Sequence, residues 1–169
     1  MLAVRLAKIV LVAAVALHAS LVAFGNITDY GTNWLFVQHV LSMDTIFPTS
    51  TIRYRAIGST LLQQAAYLLI IATEVAIAAL CWAGAWRLFA KLRAAAVEFN
   101  RAKAVAVYGL VLALLLWQVG FITIGGEWFG MWMSQTWNGI PSAFRLVVIL
   151  LGTLIFVTLP DHQTDRTTQ

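Results

Sequence analysis

The chain has 169 residues, of which 61% are hydrophobic and only 11% are charged, whereas charged residues make up about a quarter of a typical soluble domain. This composition excludes an ordinary water-soluble domain and places the chain in a lipid bilayer. The net charge of +4 does not require a nucleic-acid partner, because membrane proteins collect Lys and Arg on their cytoplasmic side.

Four apolar stretches are long enough to cross a bilayer, which takes about 20 helical residues. They cover residues 4–24, 60–86, 105–124 and 143–159. The first has small residues after its apolar core, as a signal peptide does, but we interpret it as a retained span because the apolar sequence continues to Phe24. A lipid-exposed sheet edge would leave backbone groups unsatisfied. The sequence therefore predicts an all-α fold, with residues 1–160 forming one four-helix transmembrane bundle and residues 161–169 a polar cytoplasmic tail.

Basic residues predict the orientation of the bundle. One side holds eight of them, and the other holds three, Arg53, Arg55 and Arg145; the eight are Arg5, Lys8, Arg87, Lys91, Arg93, Arg101, Lys103 and Arg166. By the positive-inside rule, both termini and the loop 87–103 are predicted to be cytoplasmic. Loops 25–59 and 125–142 then lie on the outer side.

The first outer loop contains the segment TNWLFVQHVLSM, residues 32–43. It starts with a Thr/Asn capping signal and stays apolar for about three helical turns. Since it is too short to span, it is predicted to form a short interfacial helix or a re-entrant segment. It carries Trp34 and His39, and Asp44 follows directly. Asp29, Asp44, His39, Arg53 and Arg55 could together build a site, although loops collect such residues without any catalysis.

The second outer loop and the start of the fourth span form the segment GGEWFGMWMSQTWNGIPSAFR, residues 125–145. Trp128 and Trp132 are four residues apart and are predicted to share a helical face, with Trp137 beyond. Such residues form aromatic belts at membrane interfaces. They also suit a docking surface for a partner subunit or for an apolar ligand such as a quinone; a cation–π cage and a copper site at Met131 and Met133 are further alternatives.

The two outer loops are predicted to pack on each other as a cap surrounded by Trp34, Trp128, Trp132 and Trp137. Arg145 lies at the outer start of the fourth span. It either extends to the lipid headgroups or pairs with Glu127 or Asp44.

Polar residues interrupt the apolar spans at four places: His18, the pair Gln63 and Gln64, Glu74, and Gln118. Helical rise places His18, Glu74 and Gln118 about 15, 20 and 22 Å from the cytoplasmic edge. We therefore expect His18 and Glu74 to pair across the first two spans, with Gln118 nearby. Such a cluster either fixes helix packing or forms a proton path or ion site.

No enzyme motif accompanies these residues. The sequence lacks HExxH, a Cys/His metal cluster, a phosphate-binding Gly-rich loop and a nucleophile elbow. Bis-histidine haem ligation is excluded because only His18 lies in a span. The single cysteine, Cys81, lies in an apolar run as a buried thiol. We therefore predict a protein that is not an enzyme and has no metal or other cofactor.

Three segments, GNITDYGTNWLFVQHVLSMDTIFP, YRAI at 54–57 and GGEWFGMWMSQTWNGIPSAFR, carry a resemblance. Taken together, they resemble a family of predicted small bacterial integral membrane proteins whose function is unassigned. The resemblance covers nearly the whole chain. It implies four spanning helices, a bacterial host and an inner membrane, and it carries no reaction, ligand or residue role.

The functional expectation is a non-enzymatic accessory or interaction subunit of an inner-membrane complex, with a respiratory or electron-transfer complex as the specific class. Its partners would be the lipid bilayer and another membrane protein subunit, and not nucleic acid. The alternative is a small transporter or channel lined by His18, Glu74 and Gln118. A membrane enzyme using the outer-loop acids and His39 is a third possibility.

Overall fold

A computed structural model describes residues 2–162 of the chain, and its regular structure in that range is helical. Three long helices are continuous: α1 (Leu2–Thr28), α3 (Thr60–Ala90) and α6 (Ile140–Thr158). The remaining long helix is built from three segments, namely α4 (Ala96–Ala102), α5 (Ala104–Leu114) and a π-helix (Leu115–Trp128). In residues 2–162, four helical stretches are long and apolar enough to cross a membrane. The predicted all-α four-helix architecture is confirmed.

Helix α3 is central to the bundle, because it packs along both α1 and α5. Small residues allow the close approach to α5. A Cβ atom added to Gly84 would lie 2.6 Å from the backbone of Ala106, and one added to Gly109 would lie 2.7 Å from Sγ of Cys81. Helix α6 packs against α5 and the π-helix. Its contact with α1 is much smaller, so the bundle is least closed between these two helices.

One end of the bundle, here called the basic end, holds a buried ion cluster around Asp161. Its carboxylate oxygen Oδ2 lies 2.7 Å from Nζ of Lys8 and 2.6 Å from Nζ of Lys103, and Oδ1 lies 3.7 Å from Nε of Arg5. Both lysines also donate to the carbonyl oxygen of Leu159. The cluster ties the end of α6 to α1 and to the start of α5.

The sequence predicts that Asp161 lies in a polar tail, but the structure buries it in this cluster. Burial of three cations makes a compensating carboxylate favourable at this position, and Asn100 holds the Asp161 backbone from both sides. The rest of the predicted tail, residues 163–169 with Arg166, lies outside the described residues.

The opposite end, here called the capped end, is covered by α2 (Tyr30–Ser42), a 3-10 turn (Thr51–Arg55) and a second 3-10 turn (Met131–Met133). Helix α2 overlaps the segment 32–43 that was predicted to form a short helix, and it begins two residues earlier. Its apolar side packs on α3 through Val37 and on the second loop through Val40. Thr45 Oγ1 donates to Ser134 Oγ at 2.9 Å, which links the two loops directly.

Candidate functional site

A buried carboxylate lies near the middle of α3. Glu74 is only 2% exposed, and helical rise places it about 20 Å from either end of α3. Asn26 Nδ2 donates to Glu74 Oε2 at 2.7 Å. Tyr67 Oη in turn donates to the Asn26 backbone oxygen at 3.0 Å. Asn26 is inside the membrane-crossing bundle because α1 continues to Thr28, four residues beyond the predicted span.

The predicted hydrogen bond between His18 and Glu74 does not form. Asn26 is the side chain that bonds the carboxylate, and it satisfies a polar group whose burial would otherwise be costly. His18 nevertheless faces the same cleft as Glu74. It lies at the exposed margin of that cleft, whereas Glu74 lies at its buried side.

Gln118 is not near this pair, contrary to the prediction. It is exposed on the outside of the bundle, and its carbonyl accepts from Thr123 Oγ1 at 3.0 Å. The prediction assumed an α-helix, but residues 115–128 form a π-helix, in which backbone bonds reach one residue further. Each π-turn changes the direction of the following side chains. Trp117 therefore faces Glu74 and Gln118 faces outward.

A cleft of about 200 Å³ opens between α1 and α6, where these helices are least closely packed. Its polar side chains are His18, Glu74 and Thr153, and the Trp117 indole forms part of its wall. The remaining lining is apolar; it comprises Leu11, Ala14, Val15, Ala19, Val22, Ile77, Ala113, Leu116, Leu146, Ile149 and Leu150. Apolar walls with a few polar groups are typical of small-molecule sites.

The Thr153 hydroxyl differs from four other hydroxyls on the long helices. Ser20, Thr28, Thr73 and Thr158 each donate to the carbonyl four residues earlier in their own helix, which is the usual solution in an apolar setting. Only 5% of Thr153 is exposed, yet its hydroxyl has no hydrogen bond to another group within residues 2–162. Glu74 Oε1 and the His18 ring likewise have no partner among the described residues.

A second cavity, of about 180 Å³, lies on the capped side of Glu74. Asn26, Asn33, Tyr67 and Glu74 supply its polar lining. Val22, Glu74 and Trp117 border both this cavity and the cleft. The carboxylate therefore lies between a space that faces α6 and a space that faces α2.

The residues predicted for the outer face form separate contacts at the capped end. His39 Nδ1 lies 2.7 Å from Asp44 Oδ2, and the His39 ring stacks on Trp137 with ring centroids 4.6 Å apart. This stack joins the segment that carries α2 to the segment that follows the π-helix. Trp34 lies deeper and packs against Tyr67, with centroids 6.2 Å apart. Trp34 is partly exposed and packs beside Tyr67, whose hydroxyl bonds Asn26, the partner of Glu74.

Trp128 and Trp132 do not share a helical face. Helix geometry ends at Trp128, and Gly130 has a left-handed φ of 65° that redirects the chain before Trp132. Trp132 packs edge-on against Phe47, and the Arg55 guanidinium lies 4.7 Å from the Trp128 ring centroid.

Arg145 is exposed and forms no ion pair with Glu127 or Asp44. Extension toward the lipid headgroups remains the interpretation for Arg145.

Four residues of the site were missed by sequence reasoning: Asn26, Tyr67, Trp117 and Thr153. Thr153 had a detectable signal, because it interrupts the apolar run VVILLGTLIFV. Asn26 was assigned to a loop, since Gly25 precedes it. Within residues 2–162, no group of three or more His, Cys, Asp or Glu side chains is placed to hold a metal ion.

Comparison with protein families decides the class of the molecule. A family model described as "Predicted small integral membrane protein (DUF2165)" matches residues 4–160. The chain belongs to this family. It is an integral membrane protein whose apolar helices contact the lipid bilayer, and the family description assigns no activity. No curated protein and no solved structure matched the chain.

Proposed function

We propose that this member of the family is a non-enzymatic binding protein of the bacterial inner membrane, which holds the polar head of a lipid-soluble molecule in the cleft between α1 and α6. One observation carries the proposal: three side chains with unused hydrogen-bonding capacity, those of His18, Glu74 and Thr153, line one otherwise apolar cleft. These groups are open to the cleft, because within residues 2–162 the one fully buried side-chain N or O atom without a partner is Arg5 Nε. A ligand in the cleft can therefore bond them without breaking an existing hydrogen bond.

The packing supports binding more than transport through the bundle. Between Glu74 and the basic end, the space among α1, α3 and α5 is filled by fully buried side chains, including Val12, Ala16, Cys81, Ala106 and Leu110. The cleft runs along the α6 side of that packed region, from Leu11 to Val22 on α1, and the second cavity lies on its capped side. A molecule could thus reach Glu74 from the lipid or from the capped end without crossing the packed region.

The binding proposal is tested by identifying what the protein retains. The protein is purified from its native membranes in a mild detergent, and bound molecules are extracted and weighed by mass spectrometry. Thr153→Val removes the unpartnered hydroxyl and keeps the shape of the side chain. Ala14→Leu places a larger side chain in the cleft and so reduces the space for a ligand. We expect each to reduce the retained molecule at least fivefold.

Two matched variants control for general effects on folding and detergent binding. Thr73→Val removes a hydroxyl that donates to its own helix, at Leu69. Ala7→Leu enlarges an exposed α1 residue outside the cleft. Both should retain the molecule at the unaltered level. Equal retention by all four variants, or no retained molecule in the unaltered protein, would refute the binding proposal.

A second candidate function, an accessory subunit of an inner-membrane complex such as an electron-transfer complex, is favoured by the aromatic surface of the capped end. Trp128, Trp132, Phe47 and Tyr54 are all exposed there, and tryptophans concentrate at protein interfaces. Trp128→Ala with Trp132→Ala should release a stoichiometric partner during native purification. Trp86→Ala, which alters an exposed tryptophan near the opposite end of α3, should not. Purification of the unaltered protein without any partner would count against this candidate.

A further inference from the structure

We infer that the ligand of the cleft is a lipid-soluble quinone or quinol, with its ring between His18, Glu74 and Thr153 and its apolar tail left in the lipid. The inference rests on the proposed binding function and adds the chemical class of the ligand. It is carried by the size of the cleft, the chemistry of its polar groups, its depth and its opening.

The size of the cleft suits a single substituted six-membered ring. Its volume is about 200 Å³, and an apolar cavity of about 150 Å³ in a protein core is known to hold benzene. The Trp117 indole forms one wall, and aromatic rings pack favourably against one another in offset or edge-on arrangements.

The polar groups match the two states of such a ring. The Thr153 hydroxyl can donate to a quinone carbonyl, because it is not engaged with its own helix. Glu74 Oε1 can accept from a quinol hydroxyl, while Oε2 remains bonded to Asn26. The His18 ring offers either a donor or an acceptor. Both donors and acceptors are therefore present for a head group that carries carbonyls in one state and hydroxyls in the other.

The depth of the cleft argues against ligands with a permanent charge. Its α1 lining runs from Leu11 to Val22, in the interior of the 27-residue α1, whereas Asn26, the partner of Glu74, lies two residues from the end of that helix. Bringing a phosphate-headed lipid to this depth would place a charge in the apolar core, which is costly. An uncharged quinone or quinol ring avoids that cost. A wholly apolar molecule would leave Thr153 and Glu74 Oε1 without partners.

The cleft opens in a direction that leaves room for a tail. Lys8 Nζ bonds the Leu159 carbonyl at 2.6 Å, so α1 and α6 are joined at the basic end. Further along, the cleft separates the two helices, and exposed His18 and Ile149 lie at its margin. A tail attached to a ring in the cleft could pass between these helices into lipid.

Another cavity of about 200 Å³, between α2, α3 and the π-helix, provides a contrast. Its lining side chains, among them Phe36, Leu116, Phe129 and Met131, are all apolar. It could accommodate an acyl chain but has no side-chain donor or acceptor to orient a quinone ring. This difference selects the His18–Glu74–Thr153 cleft.

The test uses the purified full-length protein and a photoreactive azido-benzoquinone with a decyl tail. We expect the label on peptides that contain residues 11–22 and 146–153, and competition by excess unlabelled decyl-benzoquinone. Oleic acid at the same concentration should not compete. Thr153→Val and Ala14→Leu should each reduce labelling at least fivefold, whereas Thr73→Val and Ala7→Leu should leave it unchanged.

The outcomes separate the ligand class from the binding function. A molecule that is retained and depends on Thr153, but is identified as a fatty acid or phospholipid, would overturn the quinone inference and keep the binding function. Labelling that is equal in all variants, or displaced equally by oleic acid, would also overturn the quinone inference. Retention that is insensitive to the cleft variants would overturn both.

Discussion

The side chain of Asn26, two residues before the end of α1, donates a 2.7 Å hydrogen bond to Glu74 at the middle of α3. Through its backbone oxygen, the same residue also accepts from Tyr67. Asn26 thus satisfies two polar groups of α3 and fixes the carboxylate beside the cleft. Several measurable consequences come from this arrangement and from the packing around it.

Replacement of Asn26 should destabilise the protein through Glu74. Asn26→Leu would remove the donor to a carboxylate that is 2% exposed, and an unsatisfied buried polar group costs about 1–3 kcal/mol, or more if charged. Thermal unfolding in detergent should show a lower midpoint. Adding Glu74→Leu should restore part of the loss, because no polar group would then be left unpaired.

Asn33→Ala provides the matched control for Asn26. The Asn33 side chain donates only to the Asp29 carbonyl in its own neighbourhood, so its loss should change the midpoint little. An equal effect of the two substitutions would contradict the role assigned to Asn26.

Gly84→Ala should disturb the contact between α3 and α5. The added Cβ would lie 2.6 Å from the Ala106 backbone, and overpacking of a close contact typically costs about 1–3 kcal/mol. The rate of Cys81 alkylation provides the measurement, because this thiol is completely buried. It should react slowly in the unaltered protein and faster in the variant. Gly152→Ala, whose Cβ would meet no atom within 4 Å, should leave the rate unchanged.

Asp161→Asn should destabilise the basic end. It removes the carboxylate shared by Arg5, Lys8 and Lys103, and loss of one partner from a buried ion cluster costs about 3–5 kcal/mol. Glu98→Gln breaks only the exposed Lys91–Glu98 pair and should change the unfolding midpoint little, because exposed ion pairs are screened by water and contribute little. Unfolding midpoints compared at neutral pH would distinguish the two positions.

The stability of the protein should also depend on Asp161 in acid. Burial by itself would raise the pKa of Asp161, but hydrogen bonds and charges from Lys103 and Lys8 outweigh it and hold the pKa below its usual value. The contribution is thus fully present above the unfolded-state pKa of about 3.9. It is lost as the pH falls from there through the lower folded-state pKa. Asp161→Asn should remove this part of the acid dependence, measured as the unfolding midpoint against pH. The same pH dependence in the variant and the unaltered protein would contradict the role assigned to Asp161.

The proposed orientation can be checked by labelling intact cells. In a Cys81→Ala background, Tyr54→Cys places a thiol at a residue of the capped end that is 77% exposed. Arg93→Cys places one in the exposed loop after α3. A membrane-impermeant maleimide should label the first in intact cells and the second only after the membrane is opened. The reverse result would invert the assigned topology.

Hydropathy predicted the four long helices, because residues in lipid must be apolar over about 20 positions. It could not place Gln118, since the direction of that side chain depends on a π-helix, and the sequence 115–128 carries no simple signal for one. It also could not select the partner of Glu74. His18 and Asn26 are both polar and both on α1, and only the offset between α1 and α3 brings Asn26 within bonding distance.

The burial of Asp161 could not be predicted from the sequence for a different reason. Its surroundings in the sequence are polar, so local composition indicates a solvated segment. Its burial arises from Lys8 and Lys103, which lie 153 and 58 residues earlier in the chain. A contact of that range leaves no periodic pattern, and only the assembled bundle reveals it.

The ion cluster at the basic end also has a consequence for the order of biosynthesis. Lys8 is translated near the beginning of the chain, but its carboxylate partner Asp161 emerges only after all four long helices. During insertion, the cations of α1 and α5 must therefore remain hydrated or bound to headgroup phosphates. Closure of the bundle at this end therefore follows the insertion of α6, the last of the four long helices.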